Sequence, residues 1–165
     1  MDPAVITGGG FGQLWQYQTT STFPGLPEMF LAKPLVYTPT SSQRQVVLAF
    51  SEQNKLYVLD AVNGTQYAMR NLADEGEAPF KASDLGACND IEGPIGITGT
   101  PVIDAGSDTV YFWAKGYRTG LTGYMNAVYR FHAVDAWTLK ERNGFPKLIE
   151  GLTGKLQYHL VTRWS

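Results

Sequence analysis

Leu56-Tyr-Val-Leu-Asp60-Ala-Val-Asn-Gly64 decides the fold. Strand-forming residues run into an aspartate that can cap backbone amides, and Asn63-Gly64 tolerates the positive φ of a tight turn. Upstream, Ser51-Glu-Gln-Asn-Lys55 joins this strand to Val46-Val-Leu-Ala-Phe50 as a hairpin. Pro34-Leu-Val-Tyr37 supplies an inner strand before that, closed by the polar turn Thr38 to Gln45, and Tyr67-Ala-Met-Arg-Asn-Leu72 supplies an outer one. The same order then returns: Pro101-Val-Ile-Asp104, Thr109-Val-Tyr-Phe-Trp113, and Tyr129-Arg-Phe-His-Ala-Val-Asp135-Ala-Trp-Thr-Leu139. A repeat of more than about sixty residues, each unit a run of short strands and turns, indicates radially arranged sheets.

The expected fold is therefore all-β: a partial β-propeller of about two four-stranded antiparallel blades, with almost no helix. Strands are expected near residues 34–37, 46–50, 56–60, 101–104, 109–114 and 128–134. Phe11 to Thr20 alternates large apolar with polar residues and reads as a further half-buried strand. Phe145 to Glu150 reads as the outer strand of the second unit. Residues 1–10 form a flexible lead-in, 11–72 the first blade, 73–94 an acidic inter-blade loop and 95–151 the second blade. Residues 152–165 form an incomplete third unit or a disordered tail. The two units are unequally spaced, 67 residues from Pro34 to Pro101 but 75 from Asp60 to Asp135. The difference falls mostly in the Gly-rich connection Lys115 to Asn126, and repeat insertions map to surface loops, so specificity is expected there.

Composition supports a folded β-rich chain: 44% hydrophobic, 13% aromatic and 17% charged residues, with 18 glycines and 9 prolines. A net charge of −2 with no basic stripe argues against a nucleic-acid partner. No apolar run is long enough to span a bilayer, and the first residues carry no signal-peptide pattern. That places the chain in the cytoplasm if it is complete. If it is a fragment, the full-length parent is expected to be secreted. The sequon Asn63-Gly-Thr65 is a feature of secreted chains that also occurs by chance, and the lone Cys88 is either a free thiol or half of a disulfide whose partner would lie in missing sequence.

These units resemble those of pyrroloquinoline-quinone-like β-propellers, the quinoprotein alcohol dehydrogenase-like superfamily. Within that superfamily the chain more closely resembles an uncharacterised branch of secreted proteins. It is carried by Phe11-Gly-Gln-Leu-Trp15, Ala32-Lys-Pro-Leu-Val-Tyr37, Leu56 to Gly64, Cys88 to Asp104 and Thr109 to Lys115, and spans about Phe11 to Gly151. The resemblance implies further blades as partners. Quinone-binding members carry a tryptophan shortly after the Asp-x-x-x-Gly turn, where this chain has Tyr67-Ala-Met and Arg142-Asn-Gly, and they carry an adjacent cysteine pair that is absent here. It therefore implies a secreted ligand- or protein-binding module. The alternative is a quinoprotein-type oxidoreductase whose pyrroloquinoline quinone and calcium site lies in missing blades.

No residue is assigned as catalytic, cofactor-binding or metal-binding. Val5-Ile-Thr-Gly-Gly-Gly-Phe-Gly12 would need a following helix to cradle phosphate, and a strand pattern follows instead. His132 has Asp135 three residues on but no positioned nucleophile, and reads as a strand histidine at a blade's polar edge. With His159 it makes no zinc spacing. Asp84, Asp90 and Glu92 could converge on calcium, with Asn89 beside them, or act as paired carboxylates; a solvated acidic loop with Asx turns is the simpler use. Trp15, Trp113, Trp137 and Tyr111 are expected mainly in sheet-to-sheet interfaces. Because stacked sheets cover one another, the chain alone is expected to expose some of Trp15, Tyr57, Trp113 and Trp137 and to be prone to aggregation, with the tail from Gly154 least ordered.

Overall fold

The computed structural model describes residues 12–86 and 90–149, together with Gly8. It contains two four-stranded antiparallel sheets, each a simple meander. The first is β1 (Leu35–Tyr37), β2 (Val46–Phe50), β3 (Lys55–Asp60) and β4 (Gln66–Asn71). A connection follows, holding two short 3₁₀ turns and the small pair β5 (Phe80–Lys81) and β6 (Pro94–Ile95). The second sheet is β7 (Val102–Asp104), β8 (Thr109–Tyr117), β9 (Ala127–Asp135) and β10 (Lys147–Ile149). All six expected strands are present, and no helix crosses either central hairpin.

The turn aspartates do what their sequence context predicts. Asp60 Oδ1 accepts from the amides of Val62 and Asn63, and Asp135 Oδ1 accepts from those of Trp137 and Thr138. They also align the two units, because Val46 pairs with Asp60 and Thr109 with Asp135. Position by position, Leu48 corresponds to Tyr111, Phe50 to Trp113, Leu56 to Phe131 and Tyr57 to His132.

Strand periodicity then assigns every side chain to a face. Val46, Leu48, Phe50, Leu56 and Val58 lie on one face of the first sheet, which we call its front. In the core they meet Val110, Phe112, Ala114 and Val134, which occupy the opposite face, the back, of the second sheet. Phe50 and Phe112 touch at 5.1 Å between ring centroids. The front of the first sheet thus packs on the back of the second. The front of the second sheet, with Tyr111, Trp113 and Phe131, faces outward, and Trp113 is 47% exposed.

Phe11 lies outside the described residues, and the rest of the expected first strand is not one: residues 13–20 join no ladder. Their alternating burial survives because they lie across the back of the first sheet, where Tyr17 and Phe30 each sit 5.8 Å from the Tyr57 ring. Tyr57 is therefore only 4% exposed, contrary to the exposure considered for it, while Trp113 is as open as expected. Trp15 donates to the Ala61 carbonyl, and Trp137 packs on Tyr67 at 4.9 Å, so both are partly covered. The Ser51–Lys55 turn is fully buried. Gly96 permits this, since a Cβ there would sit 2.2 Å from Asn54 Oδ1 and 2.5 Å from the Glu52 carbonyl oxygen.

Candidate functional site

Two clusters of ionisable side chains inside the molecule lie on the backs of the two sheets, at equivalent places. Lys55 and Tyr57 project from β3, five and three residues before the turn aspartate, and share one face because they are two apart. Both hold Glu28 of the covering segment: Tyr57 Oη donates at 2.9 and 3.0 Å and Lys55 Nζ at 3.3 Å. Lys55 Nζ also donates to the Thr20 carbonyl at 2.6 Å. Burial, with the Glu28 carboxylate beside it, pushes the Tyr57 hydroxyl far above its ordinary value, so it remains a donor.

Arg130 and His132 occupy the same two positions on β9. They hold Glu77 of the connection that leads into the second sheet, His132 Nε2 at 3.1 Å and Arg130 Nε at 3.8 Å. A lysine–tyrosine pair and an arginine–histidine pair thus clamp one glutamate each, 27 and 55 residues away along the chain. The second clamp is larger. His132 Nδ1 faces Glu141 at 3.2 Å, and Glu141 also accepts from the Ala133 amide and from Arg70 of the first sheet at 2.7 Å. Arg70 donates in addition to Glu75 and to the Leu139 carbonyl. Glu75, Glu77 and Glu141 balance Arg70, Arg130 and a protonated His132.

The imidazole of His132 is stacked on Phe112, 4.7 Å away and 3° from parallel, and has no exposure. Burial alone would lower its pKa, but hydrogen bonds to Glu141 and Glu77 outweigh this and raise it. For Glu141, burial acts upward while His132 and Arg70 pull harder downward, leaving a lowered value. His132 is thus a sealed cation in the sheet interface, not a histidine at a polar edge as its sequence context suggested, and it meets Glu77 and Glu141 rather than Asp135. Sealed between two carboxylates, it can lock the sheets together but cannot reach a substrate. Replacing Lys55 with methionine removes the cation of the first clamp and leaves Glu28 buried with Tyr57 alone. The expected loss in urea unfolding is about 2 kcal/mol; a change within about 0.5 kcal/mol would show the clamp contributes little.

The other sequence candidates do not assemble. Asp84 Oδ2 is occupied by the Tyr117 hydroxyl at 2.6 Å and the Gly123 amide at 2.9 Å, anchoring the 118–126 loop. Asp90 and Glu92 are exposed, and no set of three histidine, cysteine or carboxylate side chains among the described residues is placed to hold a metal. Cys88, Asn89, His159 and most of the residue 5–12 motif lie outside the described residues. Asn63 is exposed, and its Oδ1 accepts from the Thr65 amide. The 118–126 loop presents Leu121, Tyr124 and Met125 to solvent.

Sequence inspection missed the two clamps, because Lys55-x-Tyr57 and Arg130-x-His132 look unalike until aligned on the aspartates. The signal was a cation followed two residues later by a hydrogen-bonding aromatic, at the same distance before each turn aspartate. Glu52 was also missed: it is fully buried and accepts no hydrogen bond among the described residues. Burial raises its pKa; the nearby amides of Met29, Glu52 and Gln53 offset this only in part and do not reach bonding geometry. Among the described residues, no helix is long and apolar enough to cross a membrane. Comparison with protein-family models, curated proteins and solved structures returns no match.

Proposed function

We propose that the two sheets are adjacent blades of a pyrroloquinoline-quinone-like β-propeller, and that the protein is a secreted ligand- or protein-binding module rather than a catalyst. The observation that carries this is the front-to-back stacking of equivalent sheets. An interface that joins two different faces of like units repeats by rotation, whereas a front-to-front sandwich closes on itself. The outward front of the second sheet is then the place for a further blade, and such blades are the first partners.

Binding is favoured over catalysis because His132 is closed to solvent and the carboxylates of Glu77 and Glu141 are taken up by it and by Arg130 and Arg70. The loop anchored by Asp84 instead offers Leu121, Tyr124 and Met125 as contact surface. The exposed Asn63 sequon is compatible with a secreted parent.

Reconstitution of the full-length parent with pyrroloquinoline quinone and calcium separates this from a quinoprotein oxidoreductase. The expected result is no shift of quinone absorbance and no reduction of an acceptor dye in the presence of alcohols. Dye reduction proportional to protein would overturn the non-catalytic assignment. In the same preparation, binding to arrayed glycans or peptides should be lost in the triple variant Leu121→Ser, Tyr124→Ser, Met125→Ser, and binding unaffected by it would exclude this loop.

A further inference from the structure

Lys147 stands where the repeat puts Arg70. In the first sheet Arg70 pairs with Leu56, and in the second Lys147 pairs with Phe131, the residue equivalent to Leu56. Both cations lie on the front face of the outermost strand. Arg70 uses that position to cross the interface, reaching Glu141 at 2.7 Å and the Leu139 carbonyl at 3.1 Å on the neighbouring sheet. Glu141 lies six residues after its turn aspartate. The equivalent of Glu141 in the first sheet is Gln66, and it too receives a donor from the layer covering its back, the Tyr17 hydroxyl. An acceptor six residues past the aspartate thus meets whatever packs on that sheet's back, in both examples.

The front of the second sheet has the apolar surface to match. Tyr111, Trp113, Phe131 and Phe145 contact one another, with Trp113 and Phe131 at 4.6 Å, and Val102 beside them is 66% exposed. Lys147 is exposed at its rim, 5.8 Å from the Phe145 ring. A second copy of this chain is a poor occupant, because the back of its first sheet is already covered by Tyr17, Glu28 and Phe30.

We propose that this face receives the back of a further four-stranded sheet of the same repeat, which presents an acceptor to Lys147, a carboxylate six residues after its turn aspartate, as Glu141 is presented to Arg70. The proposal rests on the stacked-blade assignment and adds to it the charged contact that sets the register of the next sheet.

The test uses the full chain extended after Ser165 by a second copy of residues 72–149, whose back carries its own Glu141. Trp113→Phe is introduced in the added copy, so that acrylamide quenching reports the original Trp113 by difference from a chain lacking it. The quenching of Trp113 seen in the unextended chain should be largely lost on extension. Lys147→Glu should lower the melting temperature of the extended chain by roughly 4 °C and leave the unextended chain unchanged, and Lys147→Arg should leave both unchanged. Shielded Trp113 with Lys147→Glu acting equally on both chains, or on neither, overturns the ion pair while the stacking stands. Trp113 still quenched after extension overturns both. Shielding already present in the unextended chain, whether lost on dilution or not, means that a second copy or the chain's own remaining residues cover the face, and also overturns the proposal.

Discussion

Replacing His132 with leucine is expected to destabilise the protein by about 3 kcal/mol, because it leaves buried Glu77 and half-buried Glu141 without the cation between them. Arg70 and Arg130 remain beside them at 2.7 and 3.8 Å, which places the loss at the lower end for a broken buried pair. Thermal melting should fall by roughly 10 °C in a chain of this size. The pH dependence carries the sharper test. The pKa of His132 is raised in the folded state, so its contribution is complete below the unfolded value of about 6.5 and is lost as pH rises through the folded value. That of Glu141 is lowered, so its contribution is present above about 4.3 and is lost as pH falls through its folded value. This cluster therefore stabilises most between about pH 4.5 and 6.5. Melting curves from pH 5 to 9 should show a decline on the alkaline side in the wild type that His132→Leu abolishes. Parallel curves for the two proteins would remove His132 from the interface lock.

The second large effect is expected at Phe112. It is buried on the back of the second sheet, between Phe50 of the first sheet and the ring of His132. Phe112→Ala should cost about 3–5 kcal/mol, combining lost burial with a cavity at the sheet interface. It also removes the stacking partner of His132, so its loss should be less than additive with His132→Leu. The next residue makes the contrast. Trp113 points to the opposite face and is 47% exposed, so Trp113→Ala should cost under about 1 kcal/mol despite the larger side chain. Urea unfolding of both variants reads this directly. Equal losses would show that the second sheet is covered on both faces, or packed through the other one.

The residues forming the strands were legible because each strand is a local event. Alternation, β-branched and aromatic content, and the Asp60 and Asp135 turns act within a few residues of one another, and the six expected strands follow from them. Residues 13–20 show the limit of that signal. Their alternation records one covered side, and a strand also needs a ladder partner, which the sequence does not specify. The tail 152–165 and Cys88 fall outside the described residues.

The sequence by itself determined the two units, their order and the face to which each strand residue belongs, since a strand's period of two admits only two choices. Only the tertiary structure decided which of those faces meet. Front and back are both apolar in these sheets, so hydrophobic pattern cannot distinguish front-to-back stacking from a closed sandwich. The same holds for the charges. Glu28 and Glu77 become clamp residues because packing delivers each to a donor pair on the back of a sheet, while Glu141 is met there by His132 and by Arg70 of the neighbouring sheet. Burial then makes each pairing obligatory, since an unpaired carboxylate there would be costly. Arg70 and Glu141 lie 71 residues apart, and no local periodicity connects them.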